Sequence, residues 1–252
     1  MLIQLINLDR STERLAEFKA ANPQLDYLRR FSAIDGYQQE IPALLAKGIF
    51  ETGVAEGYTP GALGAALSHL ALWDEAIATG QTLTICEDDA VFNRRFTTIA
   101  KRVIDDLPPD WDFILWGWNF DSYLLFELMP GVSPCLACFD EAQMCAGQRT
   151  FQGQTIVPQT FRLQRALGIP CYSISPKGAR ALRAACLPLA KIRVYFPGLD
   201  RHVPNFGIDV AMNHRFPDLK AYVSFPPLVI TRNEMKKSTI QTDVYSDAGK
   251  ST

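Results

Sequence analysis

Three consecutive acidic residues, Glu87-Asp88-Asp89, are the part of the sequence with the clearest potential for chemistry. They directly follow the short apolar run at residues 83–86, and apolar residues resume at Ala90. Adjacent negative charges repel one another, so holding them at the end of a buried strand costs stability unless a cation offsets them. Hard cations such as Mg²⁺ and Mn²⁺ prefer carboxylate oxygens and leave positions for substrate phosphates. The stretch by itself fits a cation site and a water-exposed acidic turn equally well.

The composition is that of an ordinary globular chain. It has 252 residues, of which 48% are hydrophobic and 21% are charged, so it can bury a core as one large domain. The formal net charge of −2 provides no overall basic field, and we therefore expect no nucleic-acid partner.

The N-terminus and the cysteines indicate a cellular compartment. Residues 1–9 have no charged leader and no small-residue cleavage site, which predicts a first strand and a cytoplasmic protein. We expect no transmembrane segment, because no apolar run approaches ~20 residues; peripheral association with a membrane stays open. The six cysteines are expected to be reduced thiols. Cys135-x-x-Cys138 with Cys145 lacks a fourth ligand at zinc-like spacing, so no zinc site is expected.

Apolar strand-like runs alternate with amphipathic helical segments along most of the chain. The predicted strands are residues 2–8, 27–34, 83–86, 111–116, 171–175 and 222–225, and the predicted helices are residues 12–21, 41–49, 61–78, 96–107, 176–186 and 208–214. This alternation predicts an α/β fold with a mixed, mostly parallel central sheet and helices on both faces. Residues 120–165 lose the periodicity, and we interpret them as an irregular insertion or lid.

Four polar clusters follow predicted strands: residues 7–10, Asp35-Gly36, the acidic triplet and Gly117-Trp118-Asn119. Ligands of open α/β sheets bind outside the carboxyl ends of the strands. The convergence of these clusters on one edge suits a nucleotide with metal-bound phosphates, and it favours a cation site at the acidic triplet.

Several motifs in fixed order resemble glycosyltransferase family 25, which includes lipopolysaccharide galactosyltransferases and is similar to collagen hydroxylysine galactosyltransferases. The motifs are Ile6-Asn7-Leu8-Asp9-Arg10 with Arg14, Ala33-Ile34-Asp35-Gly36, Thr59-Pro60-Gly61 with Leu67-Ser68-His69 and Trp73, Ile85-Cys86-Glu87-Asp88-Asp89, and residues 172–179, followed by Asp209 and Ser238. The resemblance covers residues 1–240 and implies a single GT-A-like (Rossmann-like) domain, followed by a polar tail at residues 241–252.

The chain departs from the family pattern at two places. Residues 61–65 read Gly-Ala-Leu-Gly-Ala where the family has Gly-Glu-x-Gly-Cys. Ile169-Pro170 stands where the family has a Thr-His pair. Both departures leave the acidic triplet intact, and they bear on the choice of donor or on the acceptor pocket.

The resemblance implies an inverting glycosyltransferase that uses a UDP-sugar, with UDP-galactose as the first expectation, and Mn²⁺ or Mg²⁺. The acceptor would be a glycan or glycolipid such as lipopolysaccharide or capsule. Asp89 and Glu87 would bind the metal, with contact through water or with the ribose as alternatives for Glu87. Asp88 would orient the other two carboxylates.

The resemblance also implies that Asp209 is the base that takes the acceptor proton, while a metal ligand or a helix cap are its alternatives. A third metal ligand is open between Asp209, His202 and His214.

The residues assigned to the sugar nucleotide are Asn7, Leu8, Arg10, Arg14, Asp35, Gly36, Ser68, His69, Asp88, Lys237 and Ser238. The first three would form the nucleotide wall, and Lys237 and Ser238 would form part of a basic lid. Some of these assignments have an alternative. Asp35-Gly36 also fits an ordinary turn, and His69 also fits a hydrogen-bonded structural residue. The lid residues also fit a solvated tail.

Two other functions use the same residues. A metal-dependent phosphohydrolase would use the carboxylates to activate water. A non-catalytic sugar-nucleotide-binding relative would keep the fold without the transferase activity. The order of the motifs disfavours the hydrolase, and the intact acidic triplet disfavours the non-catalytic protein.

Overall fold

The computed structural model describes residues 1–232. The strands are β1 (Ile3–Asn7), β2 (Leu28–Ser32), β3 (Leu83–Glu87), β4 (Ala90–Phe92), β5 (Phe113–Gly117), β6 (Tyr123–Met129), β7 (Ser133–Cys138), β8 (Gln159–Ala166), β9 (Cys171–Ile174), β10 (Arg193–Phe196), β11 (Arg201–Pro204), β12 (Ala221–Phe225) and β13 (Val229–Thr231). The α-helices are α1 (Thr12–Ala21), α2 (Ile41–Ala46), α3 (Pro60–Thr79), α4 (Phe96–Asp106), α5 (Glu141–Ala146), α6 (Gln148–Gly153), α7 (Pro176–Cys186) and α8 (Ile208–Asn213).

A nine-stranded sheet in the order β2-β1-β3-β9-β5-β12-β8-β6-β7 forms the centre of the protein. The pairs β1–β2, β1–β3 and β5–β12 are parallel, and the other neighbours in this sheet are antiparallel. The predicted α/β class with a mixed sheet is confirmed. The expectation that parallel pairs dominate is wrong, because β9 enters antiparallel between β3 and β5.

Helices cover both faces of the sheet, as predicted. Tyr172 of β9 faces α3, where its hydroxyl contacts His69. Leu115 of β5 is the register partner of Tyr172, so the next residue, Trp116, points to the opposite face. There Trp116 packs edge-on against Phe96 of α4, with 5.7 Å between the ring centroids. The two helical layers therefore bury apolar residues on either side of the same strands.

The longest helix of the described chain is α3, and its ends follow from local sequence. The Thr59 side chain accepts a hydrogen bond from the Ala62 amide, and Pro60 occupies the first turn. Gly80 ends the helix in the left-handed conformation, with φ 67°. The predicted helix at residues 61–78 is thereby confirmed. Within residues 1–232, no helix combines the length and the apolarity needed to cross a membrane.

Two glycines let the turn after β2 lie against the backbone of α3. A Cβ atom on Gly36 would lie 1.8 Å from the Pro60 carbonyl oxygen, and one on Gly64 would lie 2.4 Å from that of Ile34. No side chain fits at either position without moving the backbone. This contact fixes the turn that begins at Asp35.

Residues 120–165 are more regular than their composition predicts. They contain β6, β7, α5, α6 and β8, and the three strands extend the central sheet in the antiparallel order β8-β6-β7. The expected irregularity is therefore wrong, whereas the role of this segment as an insertion or lid stays a prediction. Among its strands, β7 alternates only between partly buried and exposed residues, so it carries no buried apolar stripe that the sequence could show.

Candidate functional site

The polar clusters predicted from the sequence meet at one edge of the sheet. Asn7 at the end of β1 is the register partner of Ser32 at the end of β2, and Glu87 at the end of β3 pairs with Ile6. The antiparallel β9 begins at this edge, where Cys171 is the partner of Gly117 at the end of β5. The predicted convergence of strand ends is confirmed.

Asp88 is held by two side chains from the β1–α1 region. Asn7 Nδ2 donates to Asp88 Oδ2 at 2.8 Å, and Arg14 Nε donates to Oδ1 at 2.9 Å. The Asp88 residue is buried, and Arg14 forms an ion pair with it. Both oxygens of this carboxylate therefore have partners inside the protein, which suits a residue that orients its neighbours.

Asp89 has one carboxylate oxygen that is satisfied and one that is not. Thr231 Oγ1 donates to Oδ2 at 3.1 Å, whereas Oδ1 is shielded from water and has no hydrogen-bond partner among residues 1–232. Burial and then the charge of Glu87 raise the pKa of Asp89 to about 6, against the opposing effect of Arg14. Leaving a shielded carboxylate oxygen unpaired is costly. The orphaned oxygen fits a cation as its missing partner.

The Glu87 side chain is partly exposed and lies beside a buried histidine. This glutamate side chain is 27% exposed, and Oε1 lies 3.4 Å from Nε2 of the buried His69. The Glu87 amide donates to the Pro170 carbonyl at 3.0 Å, so the Ile169-Pro170 departure directly contacts the acidic segment.

The assignment of Glu87 and Asp89 as metal ligands stays a prediction. Within residues 1–232, no group of three His, Cys, Asp or Glu side chains lies close enough to hold a cation. His202 and His214 are exposed and do not join the acidic residues in such a group. The expectation that a histidine or Asp209 completes the metal shell therefore has no support in this part of the protein. Glu87 and Asp89 could hold a cation that takes its other ligands from substrate phosphate and water.

Asp209 lies in the first turn of α8 and is oriented by backbone amides. The Gly168 amide donates to Oδ2 at 3.0 Å, and the Val210 amide donates to Oδ1 at 2.9 Å. Burial raises the pKa of Asp209, the two amides oppose this shift, and the Glu87 charge adds to it. The N-cap of α8 is Gly207, so the capping alternative is wrong. Gly168 follows β8 in the loop that leads to β9, which brings Asp209 to the same edge as Glu87.

The turn after β2 presents an aromatic ring that sequence reasoning missed. Arg10 forms an ion pair with Asp35, and its guanidinium lies over the Tyr37 ring, 5.7 Å from the centroid. The Asp35 carboxylate accepts the Tyr37 amide at 3.1 Å, which fixes this turn. Tyr37 is 75% exposed. The sequence feature that could have identified Tyr37 is an aromatic residue directly after Asp35-Gly36, at the end of a predicted strand.

The remaining assigned residues have mixed placements. Ser68 accepts the Ile34 amide at 2.9 Å and donates to the Gly64 carbonyl at 2.7 Å, so its hydroxyl joins the end of β2 to α3. The Leu8 carbonyl accepts the Ser11 amide at the start of α1. Lys237 and Ser238 lie outside the described residues. Donor binding by these four residues stays a prediction.

The chain is similar to known proteins in both structure and sequence. The crystal structure of A197 from STIV covers 88% of this chain and 80% of that chain with a TM-score of 0.36 and 12% identity. A "Glycosyltransferase 25 family member" of Aedes aegypti is 32% identical over 125 residues, which are 46% of this chain. The match covers 21% of that relative, so the chain spans about a fifth of its length.

A family model matches a large part of the sequence. The model described as "Glycosyltransferase family 25 (LPS biosynthesis protein)" matches residues 1–193, which is more than half of the chain. The matched range contains the ends of β1, β2, β3 and β5, and also Gly168 and Tyr172. The chain therefore belongs to glycosyltransferase family 25.

Proposed function

We propose that the protein is an inverting, metal-dependent hexosyltransferase that moves a sugar, with galactose as the first candidate, from a UDP-sugar to a glycan or glycolipid. The observation that carries this proposal is the orphaned Oδ1 of Asp89 at the convergent strand ends of a family 25 chain. A Mn²⁺ or Mg²⁺ ion bound there would offset the negative charge that develops on the departing nucleoside diphosphate.

The acidic turn and its partners would organise the donor side of the site. Glu87 and Asp89 would provide ligands to the cation, and the contacts from Asn7 and Arg14 keep Asp88 from competing for it. Arg10, Asp35 and Tyr37 would line the nucleoside end, since the open Tyr37 ring offers a flat apolar surface to a base.

Asp209 would remove the proton of the attacking acceptor hydroxyl. Its carboxylate is held by the Gly168 and Val210 amides, and its raised pKa brings it closer to the value that favours general-base catalysis near neutral pH. An inverting reaction needs one such base on the side of the sugar opposite the leaving group. The neighbouring Glu87 charge contributes to this raised pKa.

We further propose a surface glycan such as lipopolysaccharide or capsule as the acceptor, and a cytoplasmic location at the inner face of the membrane. The family description as a lipopolysaccharide biosynthesis protein supports this acceptor class. The curated relative is much longer than the matched region, so its name supports glycosyl transfer in general and no particular acceptor.

A donor screen tests the proposed function. UDP release is followed with several UDP-sugars, with Mn²⁺ or with a chelator, and free phosphate is measured in parallel. We expect metal-dependent release of UDP with one preferred sugar and no free phosphate. Asp89→Asn should lower this turnover on the order of 100-fold, as loss of an electrostatic contact in the transition state does. Asp110→Asn is the matched control, because Asp110 is an exposed acidic residue that pairs with Lys220.

Thermal melts provide a check that does not depend on the acceptor. UDP with Mn²⁺ at ~100 times its dissociation constant should stabilise the protein by about 2.7 kcal/mol. If no nucleoside diphosphate raises the melting temperature in the presence of metal, the transferase proposal fails. Release of free phosphate from phosphate esters would favour the hydrolase instead.

A further inference from the structure

A chain of buried polar side chains runs from α3 through β9 to the acidic cluster. Trp73 Nε1 donates to the Tyr172 hydroxyl at 2.9 Å, and the same hydroxyl lies 2.9 Å from His69 Nδ1. His69 Nε2 lies 3.4 Å from Glu87 Oε1. Trp73, Tyr172 and His69 are buried. No step of the proposed reaction uses these three side chains.

The direction of the hydrogen bonds follows from the donor at one end. An indole N–H only donates, so the Tyr172 oxygen accepts from Trp73 and its own hydrogen is free for His69 Nδ1. Nδ1 is then an acceptor, and the hydrogen of a neutral imidazole lies on Nε2, directed at the Glu87 carboxylate. The opposite tautomer would leave the Tyr172 hydrogen without its acceptor and set two lone pairs against each other at Glu87.

The backbone gives these contacts a rigid base. Tyr172 is the register partner of Ile85 on β3, two residues before Glu87, and it stacks on Phe113 of β5 with ring centroids 5.0 Å apart. Asp88 receives its contacts from Asn7 and Arg14 instead. The acidic residues Glu87 and Asp88 therefore have separate sets of partners.

We propose that Trp73 and Tyr172 lock His69 in the Nε2–H tautomer, and that this N–H fixes the Glu87 carboxylate in the orientation in which it binds the cation. His69 is then a positioning residue, not a ligand of the sugar nucleotide. The inference rests on the proposed function for the role of Glu87, whereas the tautomer is a property of the protein alone.

The tautomer is tested by nitrogen NMR on the metal-free protein. The chain has three histidines, so assignment needs only the variants of His202 and His214 as references. We expect the His69 signals of the Nε2–H form in the wild type and a mixture of tautomers in Tyr172→Phe, which removes only the hydroxyl. An Nδ1–H signal in the wild type, or an unchanged signal in Tyr172→Phe, would overturn the inference.

The effect on Glu87 is tested by titrating Mn²⁺ alone into wild type, His69→Asn and His69→Gln. The Gln amide can present an N–H near the Nε2 position, whereas the shorter Asn amide reaches only the Nδ1 side. We expect Mn²⁺ affinity to fall ~10–100-fold in His69→Asn, as for other partners of metal ligands, and to stay close to wild type in His69→Gln.

Melting temperatures of both variants separate positioning from simple loss of packing. If the two variants lose affinity equally, or if His69→Asn binds as the wild type does, the inference is wrong while the proposed function stands. If the wild type itself binds no Mn²⁺ with or without UDP, the metal assignment fails and the role of His69 fails with it. Should His69→Asn not fold, the Tyr172→Phe variant provides the same comparison of Mn²⁺ affinity.

Discussion

The three acidic residues of the turn between β3 and β4 lie in three different environments. Asp88 accepts hydrogen bonds from Asn7 and Arg14, Asp89 keeps an unpaired shielded oxygen, and Glu87 is partly exposed beside His69. The family resemblance predicted that Glu87 and Asp89 bind the cation and that Asp88 orients them. The sequence could not show which side chains contact Asp88 and Glu87, because Arg14 and His69 reach the triplet from distant parts of the chain.

The Asp89 carboxylate should lower the free energy of unfolding of the metal-free protein at neutral pH. Its pKa is raised from 3.8 to about 6, so the folded state disfavours ionisation, and this cost appears as pH rises from 3.8 to 6. We expect Asp89→Asn to raise the free energy of unfolding by about 1–3 kcal/mol at pH 8, and to have little effect at pH 4. Urea unfolding of both proteins at the two pH values measures this. A destabilised variant at pH 8 would contradict the assignment of an unpaired buried charge.

Asp209→Asn should separate chemistry from binding. The amide keeps the size of the side chain but cannot take a proton, so we expect UDP release with acceptor to fall about 10²–10⁴-fold. UDP affinity, measured by calorimetry with Mn²⁺, should be unchanged. Loss of UDP binding would instead make Asp209 a ligand of the donor or of its metal.

Among the secondary-structure elements, α3 determines where the turn after β2 lies. The backbones of Gly36 and Gly64 approach so closely that a Cβ on Gly64 would lie 2.4 Å from the Ile34 oxygen and 2.9 Å from the Gly36 nitrogen. Asp35 and Tyr37 are carried by this turn. Small residues at these two positions therefore serve the geometry of the nucleotide wall.

Gly64→Ala should lower both stability and UDP affinity, because the added methyl group pushes the Asp35 turn away from α3. Overpacking of this kind costs about 1–3 kcal/mol. Gly57→Ala is the control, since a Cβ there meets nothing within 4 Å. Chemical unfolding and UDP titration measure the two effects. Equal behaviour of the two variants would contradict the role of the close contact.

The regular elements were predictable where one face is strongly apolar. The helices α3 and α7 and the strands β3 and β9 lie within one or two residues of their predicted ranges. The direction of β9 was not predictable, because residues 171–174 are buried on both faces and periodicity does not encode strand direction. The partners of β8, which are β6 and β12, depend on long-range pairing, which a local pattern does not contain.

At the scale of the whole molecule, the last described strand crosses back over the acidic turn. Thr231 of β13 is the register partner of Ala90, and the Arg232 amide donates to the Asp89 carbonyl at 3.1 Å. The Arg232 guanidinium donates to the Asp88 carbonyl at 2.7 Å and to Glu17 of α1 at 3.2 Å. Segments 1–21, 83–92 and 229–232 thus meet at the site.

Arg232→Ala should loosen this junction. Loss of hydrogen bonds from a charged donor costs about 1–3 kcal/mol of stability. We also expect weaker Mn²⁺ binding, because the turn that carries Asp89 loses the hydrogen bonds from the Arg232 guanidinium. Lys101→Ala is the control, because the exposed Lys101–Asp105 pair contributes only about 0.3–0.5 kcal/mol. Unfolding and Mn²⁺ titration compare the two. If Arg232→Ala changes the free energy of unfolding and the Mn²⁺ affinity no more than Lys101→Ala does, the turn does not depend on Arg232.

The position of β12 in the sheet affects how the chain folds while it is synthesised on the ribosome. This strand lies between β5 and β8, yet residues 221–225 are made after both of its neighbours. At ~5–20 residues per second, the 59 residues from 167 to 225 take about 3–12 s to synthesise. Once β9 has been made, the nascent chain can form two partial sheets, each with an open edge next to the vacant position of β12. Newly made chains should therefore depend most on chaperones in this interval, before β12 joins the two halves.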